Sequence, residues 1–319
     1  MKAIVYKEYG PPEVLHIEEV EKPVPKDNEI LIKVHAAAVT SGDVRLRKAD
    51  PFIARFFNGL TKPKNTILGV NFAGKIEETG NNVTQFKEGD EVFGSTVSGF
   101  GAYAEYVCIS EDGVLAKKTA NITFQEAAAV PFGALTSLHF LRKANIRQGQ
   151  KVLIYGASGS LGTAAIQLAK YFGAEVTGLC STANLELVKS LGADKVIDYT
   201  KEDFTKSNQA WDIIFDTVGK SPFFACVKKL NEKGIYLRSV HINMSSLVRG
   251  LWTNLTSNKK VIGGMAGESK EDLLFINELI ESEKYKPVID KSYSFEQIAQ
   301  AHEYVDKGHK KGNVVITIE

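Results

Sequence analysis

The residues best suited to chemistry form a glycine-rich turn. Gly156, Gly159 and Gly162 follow the apolar run 152–155, with Ala157, Ser158, Ser160 and Leu161 between them. Glycines at such a turn let backbone N–H groups approach an anion with no Cβ in the way. A helix starting there adds the positive end of its dipole. That combination suits a pyrophosphate, and so a bound dinucleotide. Position 158 is Ser, so the spacing is G-x-x-G-x-x-G rather than G-x-G-x-x-G. On its own the pattern would also serve as a tight turn for close helix–strand packing.

The elements around the turn favour the nucleotide. Leu161, Ala164, Ala165, Leu168 and Phe172 recur at helical spacing, and Gly173 stops the helix. A second apolar strand covers 176–180. Further strands are expected at 196–199, 213–216, 235–239 and 261–263, with helical segments such as 185–191 and 222–230 between them. Strands alternating with helices predict a doubly wound parallel sheet. Upstream the pattern is β-rich. Residues 2–6, 14–20 and 29–34 read as strands with turn chemistry at 9–12, and strand character returns at 75–78, 89–94 and 99–107. These predict an antiparallel, partly open barrel. Residues 35–48 read as a polar loop. Residues 50–57 read as a short helix whose Phe52, Phe56 and Phe57 are either core or an apolar lid. Thr123 and Glu126 have capping-box spacing ahead of helical periodicity. The tail carries helices at 271–283 and 294–306. A last strand at 314–318 is expected to rejoin the first domain. The organisation expected is a catalytic domain over 1–122, a nucleotide domain over 123–265 and a returning segment over 266–319.

Composition bounds the function. With 319 residues, 44% hydrophobic and 24% charged, about two ordinary globular domains are expected. The 39 basic and 38 acidic residues are interspersed, which argues against nucleic acid or a membrane surface as partner. Cys108, Cys180 and Cys226 form no C-x-x-C pair. With no signal-like or membrane-length apolar run, a cytoplasmic, reducing location is expected.

Several motifs together carry a resemblance. They are Lys2-Ala-Ile-Val-Tyr6 with Tyr9-Gly-Pro-Pro-Glu13, Gly89-Asp-Glu-Val-Phe-Gly94, Ala127-Ala-Ala-Val-Pro131 with Leu135-Thr-Ser137, the glycine turn itself, Leu191-Gly-Ala-Asp194 and Asp212-Ile-Ile-Phe-Asp-Thr-Val-Gly219. The chain resembles the medium-chain dehydrogenase/reductase superfamily, in its zinc-free quinone oxidoreductase branch. The resemblance implies an α/β protein: a GroES-like β-rich catalytic domain with an inserted doubly wound Rossmann domain. It also implies a cleft for nicotinamide and substrate, and a homodimer paired through edge strands of the nucleotide domains. The catalytic zinc ligands of relatives fall at Thr40, Val70 and Phe132, which cannot make a tetrahedral N/S site. The alcohol proton-relay hydroxyl falls at Gly42. Only Cys108 lies near the place of the structural-zinc lobe. No metal is expected.

The cofactor implied is NADPH. The second nucleotide-domain strand ends at Cys180, followed by Ser181 and Thr182, with no carboxylate to repel a 2′-phosphate. The two hydroxyls can donate to that phosphate. Tyr199 matches a tyrosine packed beside it, whereas Asn184 replaces a frequent lysine. Thr136 matches a threonine beside the nicotinamide. Val218, Gly219, Ser239, Val240 and Gly264 lie just past strand ends, where such a sheet binds its ligand. His241 follows one strand end as well; His35 and His139 read as core.

Without metal, hydride transfer needs an electron-poor acceptor, a quinone or an α,β-unsaturated carbonyl. The protein then steadies the charge that develops on oxygen. Thr40, Ser41, Arg45 and Asn71 are the candidate donors, with Asp43 read as a loop hydrogen-bonding residue. Relatives often carry tyrosine at Arg45, so no tyrosine proton donor carries over, and solvent is left to protonate the product. Two other readings remain open: an alcohol dehydrogenase-type oxidoreductase, and an NADPH-binding protein with little turnover.

Overall fold

The computed structural model describes residues 1–52, 54–239 and 244–318, without the side chains of 57 and 244–247. The chain divides into two units, Met1–Phe132 with Glu268–Glu319, and Gly133–Gly267.

The first unit is mainly antiparallel sheet. Strands β1 (Lys2–Val5) and β2 (His16–Glu19) pair with each other. Next come β3 (Glu29–Val39), α1 (Ser41–Lys48), α2 (Ala54–Asn58), β4 (Asn71–Thr79), β5 (Glu91–Ser95), β6 (Tyr106–Ser110), β7 (Val114–Lys117) and α3 (Phe124–Ala128). Helix α4 (Val130–Lys143) leads into the second unit. Near the C-terminus, α9 (Lys270–Glu281), β14 (Ile289–Ser294), α10 (Ile298–Asp306) and β15 (Asn313–Thr317) complete the first unit. Its main sheet runs β14-β15-β3-β4-β5-β7, with β6 also on β3, and β15 lies antiparallel to β3. Ile30, Ile32, Val34, Phe72, Leu115 and Ile316 pack in its core. Thr123 and Glu126 do form a capping box, at the start of α3.

Residues 35–48 are not a loop. Ala36, Ala37, Ala38 and Val39 are all buried and extend β3. A strand covered on both faces has no apolar–polar alternation, so its sequence does not advertise it. Helix α1 then begins with a capping box between Thr40 and Asp43. Phe52 and Phe56 are exposed and meet edge to face, so they are not core; the side chain of Phe57 lies outside the description.

His302, on α10, is fully buried against the edge of the Tyr103 ring, and neither ring nitrogen has a hydrogen-bond partner among the described residues. Burial, helped by the Arg47 guanidinium, pushes its pKa down to about 3. The folded chain therefore refuses a proton that the unfolded chain takes up below pH of about 6.5. Stability is full above that value and falls as pH drops toward 3, with about 2 kcal/mol lost at pH 5 from this group alone. Urea unfolding of wild type and His302→Leu, near neutral pH and near pH 5, should show a smaller acid loss in the variant. Equal losses would show that the ring is protonated inside the fold.

The second unit is a parallel sheet. It comprises β8 (Lys151–Tyr155), α5 (Ser160–Tyr171), β9 (Glu175–Cys180), α6 (Leu185–Ser190), β10 (Lys195–Asp198), β11 (Trp211–Asp216), α7 (Phe223–Lys228), β12 (Leu230–Arg238), α8 (Met244–Thr256) and β13 (Lys260–Gly263). The six strands run β10-β9-β8-β11-β12-β13, all parallel. Strand order therefore reverses between β8 and β11, which makes the crevice at their carboxyl ends a natural ligand site. Val152, Leu153 and Ile154 are fully buried, as a central parallel strand requires. Among the described residues, no helix is long and apolar enough to cross a membrane.

Candidate functional site

The glycine turn sits where β8 meets α5. Gly156 has φ +85°, and a Cβ there would lie 2.1 Å from Val218 Cγ2. A Cβ on Gly162 would lie 2.2 Å from the Gly156 carbonyl oxygen. The turn and the helix start are thus in contact at a distance only glycine permits. The N–H groups of Gly156 and Ala157 donate to Leu179 O on β9, at 3.1 and 3.0 Å. Gly159 is the N-cap of α5 and supplies no side-chain cap, which suits a helix start meant for an anion. Ser160 and Leu161 open the helix and are buried. Thr136 on α4 is buried, and its neighbour Ser137 donates to Leu161 O at 2.9 Å. Ser137 fixes the first turn of α5; it stands in one of the family motifs, but its role becomes visible only in the fold.

Asp216 organises the next strand end. It is fully buried at the end of β11. Its Oδ1 accepts from the N–H groups of Val218 and Gly219 at 3.0 and 2.7 Å. Its Oδ2 accepts from Ser221 N at 3.2 Å and Ser221 Oγ at 2.6 Å. Ser239 donates its hydroxyl to the Asp216 carbonyl at 3.3 Å. Gly264 has φ +135° and open space around its Cβ position. Val240 and His241 lie outside the described residues.

The ends of β9 and β10 hold a polar cluster. Asp198 is level with Cys180 across the two strands. Cys180 is buried, and burial together with Asp198 pushes its thiol up to about 11. The end of β9 has no acid of its own, but β10 brings one beside it. Thr182 Oγ1 donates to Asp198 Oδ2 at 2.5 Å, and Thr200 Oγ1 donates to Oδ1 at 2.7 Å. These bonds hold the Asp198 carboxyl below the usual carboxylate range. The Asn184 amide donates to Ser158 Oγ at 3.0 Å and to Ser181 Oγ at 3.2 Å, tying the glycine turn to the end of β9. Tyr199 is exposed.

In the first unit, Thr40 Oγ1 donates to Asp43 Oδ2 at 2.6 Å and accepts from Asp43 N at 3.3 Å. Its single proton is therefore committed. Asp43, also buried, accepts from Thr40 N at 2.8 Å and Gly69 N at 3.2 Å. This joins the start of α1, with Ser41 and Arg45, to the segment just before Asn71. Burial lowers the pKa of Arg45, with Asp50 opposing. Asn71 is fully buried, yet neither its Oδ1 nor its Nδ2 has a partner among the described residues. It lies opposite Ser95 in the β4–β5 ladder. The Ser95 hydroxyl bonds to Glu268, whose carboxyl is pushed up by burial. Glu268 has no sequence signal; only folding brings it to this corner.

Thr40, Val70 and Phe132 offer one committed hydroxyl and two hydrocarbon side chains, a donor set that does not fit zinc. Among the described residues, no three His, Cys, Asp or Glu side chains are grouped to hold a metal.

Two family models match the chain. One, described as an alcohol dehydrogenase GroES-like domain, covers residues 26–119, and one described as a zinc-binding dehydrogenase covers 191–316. The chain is 37% identical to 2-methylene-furan-3-one reductase of Solanum lycopersicum, over 99% of this chain and 79% of that protein. It is 34% identical to the NADPH-dependent alkenal/one oxidoreductase, chloroplastic, of Arabidopsis thaliana, over the same shares. The structure of the quinone oxidoreductase from Coxiella burnetii matches with a TM-score of 0.89 at 31% identity, covering 100% of this chain and 99% of that one.

Proposed function

Because this chain belongs to the medium-chain dehydrogenase/reductase superfamily, in its quinone oxidoreductase-like branch, we propose that it reduces a quinone or an α,β-unsaturated carbonyl with NADPH and without zinc. The observation that carries the nucleotide half is the start of α5, where Gly159 is an N-cap with no side-chain cap and the glycine turn packs so closely that Gly162 has no room for a Cβ. The activities by which these relatives are known support the acceptor class. NADPH, when bound, supplies the hydride.

The chain's own residues bind and orient. Gly156, Gly159 and Gly162, at the start of α5, would hold the pyrophosphate. Asp216 fixes the backbone of Val218 and Gly219 at the end of β11. Asn71, whose amide the fold leaves unpartnered, donates to the acceptor oxygen as charge develops there. Arg45 adds a permanent positive charge on α1. Thr40 acts through Asp43, as a positioning residue, and Ser41 starts the same helix.

Zinc independence is supported by the donor set at Thr40, Val70 and Phe132. A homodimer through β13 is supported by its place at the edge of the parallel sheet, next to exposed Val248, Leu251, Trp252 and Leu255 on α8. A cytoplasmic location is supported by three free cysteines, which suit a reducing compartment.

The test is NADPH oxidation with quinones, enones and alkenals, with and without chelator. Turnover that survives chelation is expected. Asn71→Leu should lower kcat by roughly 100-fold while NADPH still binds. Tight NADPH binding with no acceptor reduced would overturn the assignment, and chelator-sensitive alcohol oxidation would restore the alcohol dehydrogenase reading.

A further inference from the structure

We propose that the site at the ends of β9 and β10 is neutral toward the cofactor's 2′-position, so that this chain takes NADH nearly as readily as NADPH, with Asn184 setting the ratio. The inference rests on the nucleotide reading above and adds a second coenzyme to it.

A count of protons at the site supports this. A 2′-phosphate brings a charge of about −1.5 to −2 and only acceptor oxygens. It is held by cations or by free donors. Thr182 and Thr200 each have one hydroxyl proton, and both go to Asp198. The two oxygens also lie 2.9 Å apart, and either can donate to the other, so two protons serve three contacts inside the cluster. The hydroxyl of Thr182 therefore does not reach a phosphate unless it abandons the carboxylate. Both N–H bonds of the Asn184 amide go to Ser158 and Ser181. Its Oδ1 is buried without a partner among the described residues. An acceptor left over in this way suits a ribose hydroxyl, which can donate, better than a phosphate, which cannot.

Charge points the same way. Asp198 is buried and holds a negative charge beside Thr182. Lys201 approaches its Oδ2 at 3.8 Å, but that side chain is 69% exposed, so solvent and salt weaken it. The side-chain donors left for the 2′-position among the described residues are the hydroxyls of Ser158 and Ser181 and the exposed phenol of Tyr199. Neutral donors of this kind bond a phosphate less strongly than a lysine or arginine would.

Calorimetric titration of the full chain with NADPH and with NADH reads the inference directly, without turnover. The two dissociation constants are expected to lie within about tenfold of each other. Asn184→Lys, which places a cation between Ser158 and Ser181, should shift the ratio toward NADPH by roughly tenfold. The wild-type ratio should also change by less than about threefold between low and high salt, because no cationic pocket is there to be screened. That salt measurement stands even if the lysine variant fails to fold. NADPH binding more than about 100-fold tighter than NADH, or a ratio that collapses with salt, would overturn the inference and leave the nucleotide reading intact. Binding of neither cofactor would remove that reading and this inference with it.

Discussion

Gly162→Ala is expected to lower stability by about 3 kcal/mol and to weaken NADPH binding by at least roughly 100-fold. The added methyl carbon would sit 2.2 Å from the Gly156 carbonyl oxygen and 2.7 Å from two backbone atoms of Ala157. None of these is the end of a flexible side chain, so relief requires α5 or the turn to move. The turn is tied to β9 by two hydrogen bonds to Leu179 O. It also cannot shift toward β11, where Val218 already fills the space beside Gly156. The helix is held from its other side: Ser137 donates to Leu161 O, and a Cβ on Gly133 would lie only 2.7 Å from Ser160 O. The strain therefore falls on the geometry that would receive the pyrophosphate. Gly149→Ala is the control. Gly149 has φ +78° but open space around its Cβ position, so it should cost about 1 kcal/mol of left-handed strain and leave binding unchanged. Unfolding curves and NADPH titrations of both variants decide the matter. Near-normal binding by Gly162→Ala would show that the turn adjusts and that the cradle is not the nucleotide site.

What the sequence disclosed follows from the range of the interactions involved. The strand, glycine turn and helix from Lys151 to Tyr171 were legible because apolar periodicity and turn glycines are local signals. The end of β3 was not, because Ala36 to Val39 are buried on both faces and show no alternation. Helix α1 could have been found, since Thr40 and Asp43 have the same capping spacing that revealed Thr123 and Glu126. The family resemblance pointed to Ser181, Thr182 and Tyr199. The acid that takes the Thr182 proton comes from a parallel neighbour, however, and strand register is not written in either strand alone. Asn71 was named from its place in a motif, but its lack of a partner depends on what surrounds it in the fold. Asp216 stood inside a quoted motif without a role, because its partners become visible only when the chain after β11 curls back onto its carboxylate.

That curl gives the other large expected effect. Asp216→Ala should lower stability by about 3 kcal/mol and loosen the Val218–Gly219 backbone specifically. Removing the carboxylate leaves the N–H groups of Val218, Gly219 and Ser221 without their acceptor, while the Ser221 hydroxyl keeps the Tyr236 hydroxyl as a partner. Each buried donor so stranded costs about 1 kcal/mol or more. Relief of the buried charge offsets part of that sum, which holds the net figure to about 3 kcal/mol. Asp216→Asn keeps the shape and one oxygen. It can still accept from Val218 and Gly219, but it turns an amide N–H toward Ser221 N, donor against donor, so an intermediate loss of about 2 kcal/mol is expected. Urea unfolding ranks the three proteins, and amide hydrogen exchange locates the damage. Exchange at Val218, Gly219 and Ser221 should accelerate, whereas Ser239, which bonds to the Asp216 main-chain carbonyl, should keep its protection. If Ser239 loosened equally, the carboxylate would be supporting the whole sheet end rather than the Val218–Gly219 loop alone. A fully stable Asp216→Ala would mean that water replaces the carboxylate as acceptor.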